Sequence, residues 1–576
     1  MKSFFRLLTV LSLLSLAYSC TKKTSSKNSE LKLSLTAKVS TLDPANGYDT
    51  VSASVIYQSY EQLYQYHYLK RPYTIEPLLA ESLPEVLDNG LTYKIKIRKG
   101  IQYHGDPAFK GQPRYLKAED FVNQIKRLAF VPTNSNGWWL FDGKIKGINA
   151  WRKEVGNDKS KFFTTKVEGI ETPNDYTLII KLSKPYPQML YALTMSFTSP
   201  VPKEAIEHYD HNLTQNVVGT GPYELENWTR HSSITLKKFK GYRKELYPTQ
   251  GDRYSHRNNL LADAGKQIPF IEKIVFQVIT EERTKWLNFR GNKLDLLALP
   301  RENFDSSIDE NGELVDELKK EKIQLQVSPT LTYWWLSFNM KDPLLGNNLK
   351  LRQAIAHGID RERYIRDFTV NTGQAANSIY PPGIPGYDPG TTLPFTYDIE
   401  KAKKLLAEAG YPEGKGLPEI KFDVRGGSTV HRNRGEYFKN ELSKIGIKVK
   451  VVTNTFPIFL DKARKGKLQL WRDGWAMDYP DAENSLQLLY SKNHSPGPNS
   501  TYYHNPKVDR LFDRLKVLKD GEEKFAIMSE IEKLVQADLP WIMQHYTRTY
   551  VLLQDKVKNY RQSDIVYNYL KYINLK

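Results

Sequence analysis

Three carboxylates crowd one short stretch of the chain: Asp478, Asp481 and Glu483 in GWAMDYPDAEN (474–484), beside Trp475 and Tyr479. Acids this close together suit a general acid–base pair, a metal site, a charged turn, or a receiver for a cationic group. Each alternative makes a demand elsewhere. A metal site needs further ligands, yet the 11 histidines show no metal-ligand spacing. Nucleophilic catalysis needs its own motif, and HExxH, a P-loop, GxSxG and CxxC are all missing. GTGPYE (219–224) lacks the third glycine of a dinucleotide loop. GGSTVH (426–431) sets Ser428 near His431, but a serine and a histidine three apart do not make a triad. A cell-envelope hydrolase would need Asp478 and a second acid of 478–483 to converge on one bond, with one pKa raised. On residue chemistry alone the three acids rank equally as partners for an ammonium.

The segments around these acids narrow the choice. Lys2 and Arg6 open the chain, an apolar run from Leu7 to Ala17 follows, and AYSC ends at Cys20, the only cysteine. This is the layout of an export signal, too short to cross a bilayer as a helix. A single cysteine at the cleavage point resembles the lipobox of bacterial lipoproteins, which implies acylation of Cys20 and a protein held at the membrane. Residues 21–30, TKKTSSKNSE, then read as a flexible polar tether. One cysteine excludes a disulfide-stapled fold. The net charge of +18 is spread along the chain rather than gathered in a block. For an exported chain this fits anionic envelope surfaces or a solvated exterior, not nucleic acid.

At 576 residues, 40% of them hydrophobic, the chain calls for two or three lobes. LTYKIKIRKG puts Tyr93, Ile95 and Ile97 on one face and Thr92, Lys94, Lys96 and Arg98 on the other, the pattern of a half-buried strand. Segments 176–183, 323–328 and 447–452 read likewise. In DIEKAKKLLAEAGYP, Asp398 stands at the N-cap, Ala402, Leu405, Leu406 and Ala409 share a face, and Gly410 ends the helix. Mixed strands and helices over this length predict an α/β protein of several lobes. Segments 380–390 and 493–500 read as ordered loops, and 248–269 as a surface insertion.

A series of segments in fixed order carries a resemblance: STLDPANGYDT (40–50), YEQLY (60–64), IRKGIQYHGDP (97–107), KAEDFVNQIKRL (117–128), VGTGPYELENW (218–228), NFRGNKLDL (288–296), LRQAIAHGIDRERYI (351–365), DIEKAKKLLAEAGYP (398–412) and GWAMDYPDAEN. Across roughly 31–576 the chain resembles the oligopeptide- and dipeptide-binding branch of the extracytoplasmic solute-binding proteins that feed ABC importers. It departs from that pattern where YHGDPAFKGQPRYLKAED (103–120) is stretched. The resemblance implies a bilobal, periplasmic-binding-protein-like α/β fold with a hinge and an extra small domain on the first lobe. Lobe I would combine 31–63, 191–329 and 546–576, with the small domain at 64–190 and lobe II at 330–545. It also implies a monomeric, non-enzymatic receptor without cofactor or metal, which delivers a peptide ligand to the membrane subunits of an ABC permease.

The resemblance then separates the three acids. Asp478 occupies the place where related receptors hold the ligand's α-ammonium, leaving Asp481 and Glu483 as turn or helix-start acids. Arg472, six residues earlier, stands where an arginine reaches a peptide carboxylate or side chain; a local pair with Asp473 or Asp478 is the competing reading. His431 matches a histidine that contacts longer peptides. Arg464 is a further candidate cation, one position displaced from the family's arginine, where this chain has Ala463. Trp475, Tyr333 and Trp335 are candidate cleft aromatics, with core packing the alternative for at least one of them. The same fold could hold another solute, such as a murein peptide, a signalling peptide, a metal chelate or haem.

Overall fold

The computed structural model describes residues 30–47, 49–369, 372–425, 429–454, 456–495 and 497–576, without the side chains of 429, 456, 457, 460 and 464. The export signal, Cys20, nearly all of the tether and the Arg464 side chain lie outside the described residues. The architecture is the expected bilobal α/β arrangement, built on three main sheets. In one, Glu30–Leu35 pairs in parallel with Lys273–Val278, followed by Ser233–Lys238 and Tyr223–Thr229 antiparallel. A smaller antiparallel sheet orders Glu85–Leu87, Thr92–Lys96, Thr177–Lys181 and Ile170–Asn174. Its Tyr93, Ile95 and Ile97 are buried, as their alternation requires.

The third sheet has seven strands. Its long members are β1 (Gln324–Phe338), β2 (Leu470–Ala476) and β3 (Trp541–Leu553). β1 lies between β2 and β3, antiparallel to both. Ile420–Val424 and Val449–Thr453 extend the β2 side in parallel, and Leu296–Ala298 extends the β3 side. The β1–β3 register slips between Pro329 and Tyr333. Proline has no N–H for the ladder, and side chains take over at the slip. Leu331 N donates to Asp564 Oδ2 at 2.8 Å, and Thr330 Oγ1 donates to the Thr547 carbonyl at 3.1 Å.

Local signals explain the helices that cover this sheet. Ile399–Glu408 starts where Asp398 accepts the Lys401 N–H at 2.9 Å and ends before Gly410, whose φ of +96° a side chain would resist. Its Ala402 and Leu406 are fully buried. The segment 248–269 lies largely at the surface, and a few of its residues anchor it to the body. Its outer residues are exposed, but Ser255, Asp263 and Ile268 are buried; Ser255 donates to the Leu69 carbonyl at 3.0 Å, and Asp263 accepts from Asn559 and Asn574 of the C-terminal segment. Asp252 pairs with Arg561 at 2.9 Å, Asn559 donates to Asp263 at 2.8 Å, and Tyr247 donates to the Leu260 carbonyl at 2.8 Å. Polar composition concealed this role, because the buried polar atoms find their partners about three hundred residues away.

Candidate functional site

Strand alternation sorts the residues of β2. Trp471, Asp473 and Trp475 point to one face, and Arg472, Gly474 and Ala476 to the other. The β1 register places Trp335 opposite Asp473, Trp334 opposite Gly474 and Leu336 opposite Arg472. On the first face Trp335, Trp475, Trp541, Asp473 and Arg425 line a cavity of about 380 Å³. Trp335 and Trp541 lie 4.3 Å apart between ring centroids. Tyr333 shares this face but is fully buried in the core beneath it, 5.2 Å from Trp335.

On the second face the Arg472 guanidinium lies 3.9 Å above the Trp334 ring. The ring is fixed by a 3.2 Å bond from Trp334 Nε1 to Thr547 Oγ1. It also needs the glycine opposite: a Cβ on Gly474 would sit 2.3 Å from Trp334 Cε3. Arg472 is 8% exposed, and among the described residues it makes no ion pair or hydrogen bond. Burial, reinforced by Arg434 and Arg425, pulls its pKa down to about 10. The competing reading, a local pair with Asp473 or Asp478, is not formed among the described residues; Asp473 pairs with Arg425 instead, at 3.4 Å. Helix Thr429–Ser443 brings His431 to the same place, and burial with Arg434, Arg472 and Arg425 lowers its pKa.

Asp478 follows the end of β2. It lines a cavity of about 250 Å³ with Ala476, Tyr57, Tyr66, Phe197 and Asp564. One residue organises this end. Asn484, fully buried, donates Nδ2 to Asp478 Oδ2 at 3.1 Å, and its Oδ1 accepts the Asp478 N–H at 3.1 Å and the Trp475 Nε1–H at 2.8 Å. The short helix Ala482–Leu486 carries Asn484, and Asp481 caps it by accepting the Glu483 N–H at 2.8 Å. Asp481 also pairs with buried Lys524 at 2.6 Å. Glu483 accepts the Tyr479 hydroxyl at 2.6 Å, and burial raises its pKa to about 7 against the pull of that bond and of Lys144 and Lys524. Tyr479 in turn stacks on Tyr191 at 5.3 Å.

The geometry therefore joins Arg472 to His431 around Trp334, and Asp478 to Trp475 through Asn484. Asp481 and Glu483 are committed to the helix start and to neighbouring side chains. Sequence reading missed Trp334, Arg434 and Asn484. Alternation could have found Trp334, since it is out of phase with Tyr333 and Trp335. Asn484 follows no period and gave no signal. Among the described residues no group of three His, Cys, Asp or Glu side chains could hold a metal ion.

Comparison with known proteins adds the relatives. The family model described as bacterial extracellular solute-binding proteins, family 5 middle, matches residues 74–497. The chain is 26% identical to heme-binding protein A of Haemophilus influenzae over 501 residues, covering 86% of this chain and 83% of the relative. It is 25% identical to the dipeptide-binding protein of Escherichia coli, covering 84% and 83%. Among solved structures, the periplasmic binding protein DppA from Helicobacter pylori in complex with the peptide STSA superposes with a TM-score of 0.68 at 25% identity, covering 95% and 98%. The unliganded murein tripeptide-binding protein MppA shares the fold at a TM-score of 0.73 and 20% identity.

Proposed function

The chain belongs to the bacterial extracellular solute-binding proteins of family 5, and from that premise we propose that it encloses a peptide between its lobes and hands it to an ABC permease. The observation that carries this reading is a pair of opposite charges, one on β2 and the other just past its end. Arg472, buried without a carboxylate, lies at one end, and Asp478, oriented by Asn484, at the other. In a site that excludes water, an ammonium and a carboxylate each need such a fixed partner. Arg472 and Ala476 lie about 13 Å apart at about 3.3 Å per residue, and Asp478 follows two residues on. An extended peptide reaching both charges therefore has an upper limit of roughly six residues. The Trp335–Trp475 cavity opens on the other face of β2 from Arg472, and Trp475 is joined to Asp478 through Asn484.

Calorimetric titration of di- to hexapeptides tests the reading. Free peptides bind; N-acetylation removes the interaction with Asp478, and C-terminal amidation the one with Arg472. Equal affinity for free and acetylated peptides would overturn the role given to Asp478. The receptor binds without turnover, so mass spectrometry of the titrated peptides returns them intact; a cleaved product would favour the hydrolase reading.

Lobe division follows the same reading: 31–63, 191–329 and 546–576 in lobe I, 64–190 as its small domain, and 330–545 as lobe II. The register slip at Pro329 to Tyr333 supports a hinge at that boundary. The mature receptor is a monomer anchored outside the cytoplasmic membrane through acylated Cys20. Changing Cys20→Ala moves it from the membrane fraction to the soluble fraction, and light scattering reads its mass.

A further inference from the structure

The surroundings of Arg472 hold more positive charge than one terminal carboxylate neutralises. This argument rests on the peptide-binding reading and narrows it to a class of peptide. Two arginines approach the Trp334 ring, and a third, Arg434, acts on Arg472. Arg472 stacks on the ring at 3.9 Å, Arg425 lies 5.6 Å from it, and Arg434 is close enough to depress the pKa of Arg472. The Nε atoms of Arg472 and Arg434 are both buried without a partner among the described residues. Arg434 reaches one neutral acceptor, the Phe368 carbonyl, at 3.4 Å. The ion pairs of the described residues give this cluster one carboxylate, Asp473 on Arg425.

The histidines add no compensation. His545 lies 6.3 Å from Trp334, its Nδ1 buried without a partner, and burial next to Arg472, Arg434 and Arg361 holds it neutral. Among the described residues no second carboxylate forms an ion pair with Arg472 or Arg434. A buried charge without a counter-charge is expensive, so a well-matched ligand supplies the missing anions.

We propose that the receptor selects peptides whose last residue is aspartate or glutamate, with the α-carboxylate and the side-chain carboxylate shared between Arg472 and Arg434. Guanidinium groups suit such paired carboxylates, because their planar donors bind each one bidentately.

The probes are the tripeptides Ala-Ala-Glu and Ala-Ala-Gln, which differ in one charge at constant shape. Titrated in parallel, the glutamate peptide binds about tenfold tighter or more, the range of an added charge-assisted hydrogen bond, and its advantage shrinks as salt rises. R434Q removes the preference, bringing the affinity ratio of the two peptides to about one whatever it does to their common affinity. Should R434Q fold poorly, the difference in salt dependence between the two peptides on the unaltered protein gives the same answer. Equal affinity and equal salt dependence overturn this inference and leave the peptide-binding reading standing. Absence of binding by both peptides, and by the longer free peptides, overturns that reading and this inference with it.

Discussion

At the residue scale, Arg472 carries conflicting demands. Its guanidinium is buried against Trp334 with no ion pair of its own among the described residues, so the empty receptor holds an electrostatic penalty that ligand relieves. Arg472→Met therefore has two effects of opposite sign. It raises the melting temperature of the empty protein, because an apolar chain of similar length replaces an unpaired charge. It also weakens binding of free peptides about tenfold or more. A fall in both quantities would mean that the arginine is structural. Asn484 is a positioning residue, since it orients Asp478 and Trp475 at once. Asn484→Ala lowers affinity for free peptides more than for N-acetylated ones, a split that general loss of packing would not produce. Arg472 and Asp478 were singled out by the places they hold in the resemblance, since residue chemistry alone ranked the three acids equally. Asn484 was not, because its partners are set by a turn whose path sequence does not reveal.

At the element scale, β2 works because of what it lacks. Gly474 gives the Trp334 ring room to lie flat on the sheet. Gly474→Ala should lower stability by about 1–3 kcal/mol, as overpacking does, and tilt the ring away from Arg472; urea unfolding and the indole fluorescence measure the two effects. Two strands of the small sheet, Thr92–Lys96 and Thr177–Lys181, and the helix Ile399–Glu408 were readable from period, cap and stop signals, since those are local. Packing of 248–269 was not, since its partners Asn559 and Arg561 come from the far end of the chain. Trp334 marks the boundary between the two cases: the alternation was visible, but which face held the charges required the register with β2.

At the scale of the whole molecule, the segment around Tyr191 meets the segment around Tyr479, and Glu483 sits at that junction facing Tyr479, Asp481, Lys144, Lys524 and Tyr186. Its folded pKa of about 7 lies above the ordinary carboxylate value of 4.5. The native state thus holds a proton that the unfolded chain releases, and stability from this group falls as pH rises from about 4.5 to about 7. Glu483→Gln keeps an acceptor for Tyr479 and removes the penalty. The variant should gain on the order of 2 kcal/mol at pH 8 and little at pH 4.5; melting curves at the two values check this, and an equal change at both would assign the effect to packing.

The same scale gives the paired strands β1 and β3 another significance. Both strands continue through the slip at Pro329, and on the proposed reading the ligand is enclosed between the lobes that they connect. A partner gripping the outside of both lobes cannot inspect what is bound; it reads only the angle between them. The cargo is reduced to a one-bit message, closed or open, so a single transporter can serve as many different cargoes as the interior is able to shut upon.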